Sequence, residues 1–110
     1  MVKAPERGQI IKLNFNPKRG SEQAGYRPAL VMSQTAYNSK TGMMLACPIT
    51  SSKKGYATEV ALPKGLKTKG VILSTQMKAM DWRERSFRVV ESVDDDVLEA
   101  VLDRLIAVIE

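Results

Sequence analysis

The punctuation of the chain limits its fold more than any other feature. Short apolar runs are separated by clusters of Gly, Pro, Asn and Ser, and a helical apolar period begins only near residue 94. Ile11, Leu13 and Phe15 alternate with Lys12 and Asn14, the pattern of a half-buried strand. Asn16-Pro17-Lys18-Arg19-Gly20 supplies turn chemistry. Further strands are predicted over residues 29–32, 43–49, 58–62, 70–78 and 86–90. Pro48 in the third run predicts an edge position or a strand end. Ser33 is placed to cap a short helix over residues 34–38, which Ser39-Lys40-Thr41-Gly42 would end. Asp81-Trp82-Arg83-Glu84-Arg85 reads as a charged turn or a single helical turn. Six short strands without helical crossovers disfavour a parallel α/β fold and suit a small, strongly bent sheet or partly open barrel.

The last segment predicts a helix. Asp94 is placed as its N-cap, and Asp95 and Asp96 complement the positive end of its dipole. Val97, Leu98, Val101, Leu102, Leu105, Ile106, Val108 and Ile109 form a wide apolar stripe at helical spacing, read here as core packing. At 110 residues the chain is expected to form one domain, residues 1–110. No apolar run approaches the roughly 20 residues that span a membrane, and the N-terminal residues carry no apolar signal segment. A lone Cys47 in an apolar run cannot form an internal disulfide and reads as a small buried hydrophobe, so a cytoplasmic location is expected.

Charge is unevenly placed. The net charge is +5, yet residues 91–110 hold seven acids against one base, Arg104, which leaves +11 for residues 1–90. A basic body favours an anionic partner, nucleic acid being the commonest. The acidic helix is a poor surface for RNA. Solvating lysines would give the same total without any partner.

Familiar catalytic systems are excluded by composition. With no histidine and one cysteine, neither the usual His/Cys zinc site nor a Ser–His or Cys–His nucleophile can be assembled. Asp94, Asp95 and Asp96 are successive on a helix and do not converge on a metal, so no metal site and no cofactor are expected. Between two predicted strands lies Gly20-Ser21-Glu22-Gln23-Ala24-Gly25-Tyr26-Arg27-Pro28, which lacks the Gly-Lys-Ser/Thr of a P-loop. Pro28 biases Arg27 toward extended backbone, placing the guanidinium at the mouth of a strand. Such a set suits RNA cleavage, because RNA carries its own nucleophile, the 2′-hydroxyl. The protein need only orient the phosphate, stabilise phosphorane charge and assist proton transfer. Arg27 could donate two hydrogen bonds to the non-bridging oxygens and Thr50 a third. Glu22 could act as a base, or orient Arg27 through an ion pair.

These residues resemble the MazF/PemK/Kid family. Gly8-Gln9-Ile10-Ile11, Asn16-Pro17, the string from Gly20 to Pro28, Tyr37-Asn38, Pro48-Ile49-Thr50-Ser51 and Gly70-Val71 stand in the family's order, with Gln76 and Trp82-Arg83 in place. The resemblance covers essentially the whole chain and is closest to the MazF branch. It implies an SH3-like small barrel with a C-terminal helix, a homodimer, and a sequence-specific, metal-independent endoribonuclease. Such an enzyme leaves a 2′,3′-cyclic phosphate and a 5′-hydroxyl on single-stranded RNA, as the toxin of a toxin–antitoxin pair. It further implies that Arg27 is catalytic, with Thr50 its partner and Glu22 the loop carboxylate. Members that carry Arg-x-Asp before the strand glutamine use it in the site; here those positions are Leu73 and Thr75.

Lys53, Lys54, Gln76, Lys78 and Arg83 are candidate RNA contacts, and Trp82 could stack on a base or fill the core. The resemblance also implies an acidic, MazE-like antitoxin whose extended tail covers the RNA groove; a +11 body suits it. Two other classes compete: a gyrase poison of the CcdB type, which shares the fold, and a noncatalytic RNA-binding module. The first uses a C-terminal tryptophan, whereas this sequence ends Ala107-Val108-Ile109-Glu110.

Overall fold

Alternation along the first strand sends apolar side chains to both faces of the sheet, and both faces are covered. In the computed structural model, which describes residues 2–14 and 26–110, Ile10 packs into one apolar cluster while Ile11 and Leu13 pack into another. The strands are β1 (Gln9–Asn14), β2 (Tyr26–Val31), β3 (Met43–Thr50), β4 (Glu59–Ala61), β5 (Val71–Leu73), β6 (Lys78–Asp81) and β7 (Phe87–Ser92). Helix α1 (Thr35–Thr41) lies between β2 and β3, and helix α2 (Asp95–Ile109) ends the order. All pairings are antiparallel, in the sequence β4-β5-β3-β2-β1-β7, with β6 also on β3. Among the described residues the ladder does not close, since β4 and β7 are its ends. The architecture is mainly β with a C-terminal helix, consistent with the small-barrel class.

Several expectations are corrected. The run over residues 70–78 is not one strand: a 3-10 turn at Ser74–Gln76 separates β5 from β6. Pro48 is not on an edge strand, for β3 is central. The proline falls where the neighbour of β3 changes from β6, paired at 43–46, to β5, paired at 49–50, so the ladder on that side is already interrupted. Ser33 does not cap α1, whose N-cap is Gln34 without a side-chain bond. Its hydroxyl instead donates to Asn38 Oδ1 and accepts the Leu45 N–H at 2.8 Å. Asp94 is the N-cap residue of α2, but its carboxylate makes no capping bond. The predicted turn over residues 16–20 and the loop up to Gly25 lie outside the described residues.

A buried polar knot ties α1 to the sheet. Asn38 is fully buried; its Nδ2 donates to the Pro5 carbonyl at 2.9 Å and to the Ser33 carbonyl at 3.3 Å. Its backbone carbonyl accepts from Trp82 Nε1 at 2.9 Å. With its amide satisfied, the buried side chain escapes the desolvation cost of an unpaired polar group. Trp82 is therefore a core residue, packed edge-on against Phe87 with ring centroids 6.1 Å apart, and not an exposed stacking platform.

The apolar stripe of α2 exceeds what the core takes up. Only Val97, Leu98 and Val101 are buried. Leu102, Ile106, Val108 and Ile109 are exposed by 37%, 49%, 60% and 77%, so core packing alone does not account for them.

Candidate active site

Two strands carry the two central candidates. Arg27 is the second residue of β2, exposed, and opposite Leu13 of β1. Thr50 is the last residue of β3, half-buried, and opposite Val71 of β5. The β2–β3 register pairs Val31 with Ala46 and Ala29 with Pro48. Continued by two residues, that register sets Arg27 level with Thr50. Opposed residues in an antiparallel pair project to the same side, and alternation keeps 27, 29 and 31 together with 46, 48 and 50. The guanidinium and the hydroxyl thus belong to one face of the sheet, at the open end beyond buried Ala29.

Lys78 shares that face, because it pairs with Ala46, two alternations back along β3 from Thr50. Gln76 is exposed in the 3-10 turn that leads into β6. Glu22 lies outside the described residues.

The Thr50 backbone is set by a glycine. Gly70 has φ +120°, and a Cβ there would lie 2.2 Å from the Thr50 carbonyl oxygen. Only glycine lets the chain before β5 approach the end of β3 so closely. Thr50 Oγ1 accepts the Ser52 N–H at 3.0 Å. That bond fixes the oxygen while the hydroxyl proton can still be donated.

Lys53 and Lys54 are exposed in the loop that follows. Its backbone is held by Glu59, a residue with no signal of that role in the sequence: Oε2 accepts the Lys54 N–H and Oε1 the Gly55 N–H, each at 3.0 Å. Arg83 is built into the fold. Its guanidinium lies 5.1 Å from the Trp82 ring centroid and donates to the Ser39 carbonyl at 3.1 Å, over Gly42 at the C-cap of α1. Arg85, which no sequence motif marks, donates to the Asn14 carbonyl at 2.9 Å and fastens the β6–β7 turn to the end of β1.

Burial pushes the Cys47 thiol up to about 12, so it is protonated and inert at neutral pH. Among the described residues no three His, Cys, Asp or Glu side chains come together as a metal site. The arrangement offers a cation, a hydroxyl donor and Lys78 on one face, which is what a phosphodiester in flight to a phosphorane requires.

A family model for the PemK-like, MazF-like toxins of type II toxin–antitoxin systems matches residues 6–109. The endoribonuclease toxin MazF of Escherichia coli (strain K12) is 43% identical over 97 residues, covering 88% of this chain and 86% of that protein. The crystal structure of MazF from Deinococcus radiodurans superposes with a TM-score of 0.85 at 45% identity, covering 96% of each chain. A MazE–MazF crystal structure from the same organism superposes with a TM-score of 0.87 at 43% identity, covering 96% of this chain and 95% of that one. On a match that runs from Glu6 to Ile109, the chain belongs to the PemK-like, MazF-like toxin family of type II toxin–antitoxin systems.

Proposed function

We propose that the protein is a sequence-specific endoribonuclease toxin that cuts single-stranded RNA without a metal ion. The observation that carries this reading is the placement of Arg27 and Thr50 on one sheet face, level with each other across β2 and β3. Relatives named as endoribonucleases, among them MazF and ChpB of Escherichia coli (strain K12), support it.

In this scheme the Arg27 guanidinium donates two hydrogen bonds to the non-bridging oxygens of the scissile phosphate, and Thr50 Oγ1 donates a third. The RNA 2′-oxygen forms a bond to phosphorus as its proton passes to a base. The bond from phosphorus to the 5′-oxygen then breaks, and that oxygen takes up a proton. The products are a 2′,3′-cyclic phosphate and a 5′-hydroxyl. Both donors bind best when charge on the equatorial oxygens is greatest, so they favour the transition state over the ground state. Glu22 either accepts the 2′-hydroxyl proton or orients Arg27. Arginine is a poor proton donor because its pKa is so high, so its role is electrostatic. Lys53, Lys54, Gln76 and Lys78 hold flanking nucleotides, and Arg83 contributes from the β6–β7 turn. Incubating the protein with a long RNA in excess EDTA should give cuts with cyclic phosphate and 5′-hydroxyl termini. Cleavage that requires added divalent metal, or that leaves 5′-phosphates, would reject the mechanism.

The partners follow from surface chemistry. A MazE-like antitoxin with an acidic segment suits the basic body, and structures of MazE–MazF complexes are among the neighbours of this fold. The 1–110 chain acts as one toxin domain in the cytoplasm, the location that a lone, buried Cys47 favours. The exposed side chains Leu102, Ile106, Val108 and Ile109 on α2 supply the apolar surface of a homodimer. Ile106→Asp should convert the protein from a particle of twice 12.2 kDa to one of 12.2 kDa, measured by sedimentation equilibrium. A variant that keeps the dimeric mass would remove α2 from the interface.

A further inference from the structure

On the other side of β1 and β2 from Arg27 lies a groove of about 550 Å³. Lys12, Lys67, Lys69 and Arg88 line it, and among the described residues no acidic side chain is part of the lining. These four cations come from three separate segments: β1, the loop before β5, and β7.

Two features show that the convergence is built. First, Lys12 and Arg88 are directly opposed in the β1–β7 register, so two like charges face each other on one side of the sheet. Such pairs destabilise a sheet, and among the described residues no hydrogen bond or ion pair to either side chain relieves this one. Second, the loop carrying Lys67 and Lys69 is pinned. Glu91 Oε1 accepts the Lys67 N–H at 2.9 Å, and Oε2 accepts the Thr68 N–H at 2.8 Å and the Thr68 hydroxyl at 2.7 Å. The carboxylate that borders the groove is therefore spent on holding the loop. Partial burial raises the Glu91 pKa, but these bonds and the Lys67 charge outweigh it and leave the carboxyl below its ordinary value.

Fixed like charges with no counter-ion among the described residues create a site for an external anion. Pro28, the residue that follows Arg27, forms part of the wall, so the groove begins one residue from the guanidinium, on the opposite side of β2. We propose that this groove binds backbone phosphates of the single-stranded RNA substrate outside the cleavage centre, with Lys12, Lys67, Lys69 and Arg88 as the phosphate ligands. The proposal rests on the endoribonuclease reading for the identity of the polyanion. Flexible RNA can follow both sides of the β1–β2 hairpin, whereas the groove provides no base-reading element, so the contribution is affinity independent of sequence.

The test is a salt titration of binding to a labelled 20-nucleotide RNA, with Arg27→Ala in every protein so that the RNA stays intact. Removing the charge of one phosphate ligand should reduce the slope of log K against log salt by about 0.7. Lys67→Gln, Lys69→Gln and Arg88→Gln together should flatten the slope by about 2 and weaken binding by at least about tenfold at 0.1 M salt. Lys67→Arg with Lys69→Arg and Arg88→Lys should keep the slope, which separates charge from fold. An unchanged slope in the glutamine variant overturns the proposal. So does a loss of binding to a polyglutamate peptide with no change for RNA, which would assign the groove to an acidic protein segment. Failure of the cleavage scheme reads differently: RNA would be cut despite Arg27→Ala, while the slopes would still report on the groove.

Discussion

Replacing Arg27 with alanine is expected to lower the rate of RNA cleavage by at least about 10³-fold while leaving most of the RNA affinity in place. Removing one neutral donor from an oxyanion site costs about 10²–10³ in rate, and an arginine that neutralises a transferring phosphoryl group is worth about 10³–10⁵. Arg27 supplies both charge and paired donors, so its loss belongs in the upper part of that span. Lysine should recover only part of the rate, since a point charge cannot make the paired, planar contact of a guanidinium. Affinity should survive because it is distributed over many cations of a body whose charge, outside residues 91–110, is +11. The measurement is single-turnover cleavage of a labelled RNA at saturating protein, alongside binding by anisotropy. Cleavage by Arg27→Ala at the wild-type rate would remove Arg27 from the chemistry. Equal loss of binding and rate would make it a substrate anchor instead.

The features legible in the sequence are those in which chemistry and backbone geometry sit in adjacent residues. Arg27-Pro28 announces an extended arginine, and Ile49-Thr50-Ser51 announces a hydroxyl at the end of a strand. The alternation of Ile11 and Leu13 with Lys12 puts those two side chains on the side of β1 that Arg27 shares, though it does not reveal that Ile10 is buried on the other, and the acidic start and apolar period of α2 fix that helix. The features that stay hidden depend on distant partners. Asn38 looks like an ordinary helix polar residue until Pro5 and Trp82 are brought to it. Glu59 and Glu91 look like exposed strand acids, yet each uses both oxygens to hold a basic loop. Arg83 sits beside Trp82 in sequence and reads there as an RNA contact; its tie to Ser39 across the fold is visible only in three dimensions. The break in residues 70–78 is concealed because Ser74, Thr75 and Gln76, which form the 3-10 turn, include no glycine or proline to mark it.

Gly70→Ala should damage both the fold and the site, and by more than an ordinary turn glycine would. At φ +120° a side chain is strained wherever it stands, at about 1–3 kcal/mol. Here the added Cβ also meets the Thr50 carbonyl oxygen at 2.2 Å and the Thr50 carbonyl carbon at 2.8 Å. Those atoms are backbone and cannot rotate away, so the end of β3 must move, with an overpacking cost of about 1–3 kcal/mol. The combined destabilisation is expected at about 2–6 kcal/mol. Because the displaced carbonyl belongs to Thr50, the hydroxyl leaves its position beside Arg27, and a shift on the order of 1 Å in a positioned group can cost about 10²-fold in rate. Gly65→Ala is the control. Its φ of +98° carries the same kind of strain, but a Cβ there meets nothing within 4 Å. Urea unfolding and cleavage rates of the two variants, measured side by side, isolate the close approach from the backbone strain. Gly65→Ala should lose stability alone, whereas Gly70→Ala should lose more stability and most of its activity. Equal stability losses with activity kept in both would mean that the contact between residue 70 and Thr50 does not set the position of the hydroxyl.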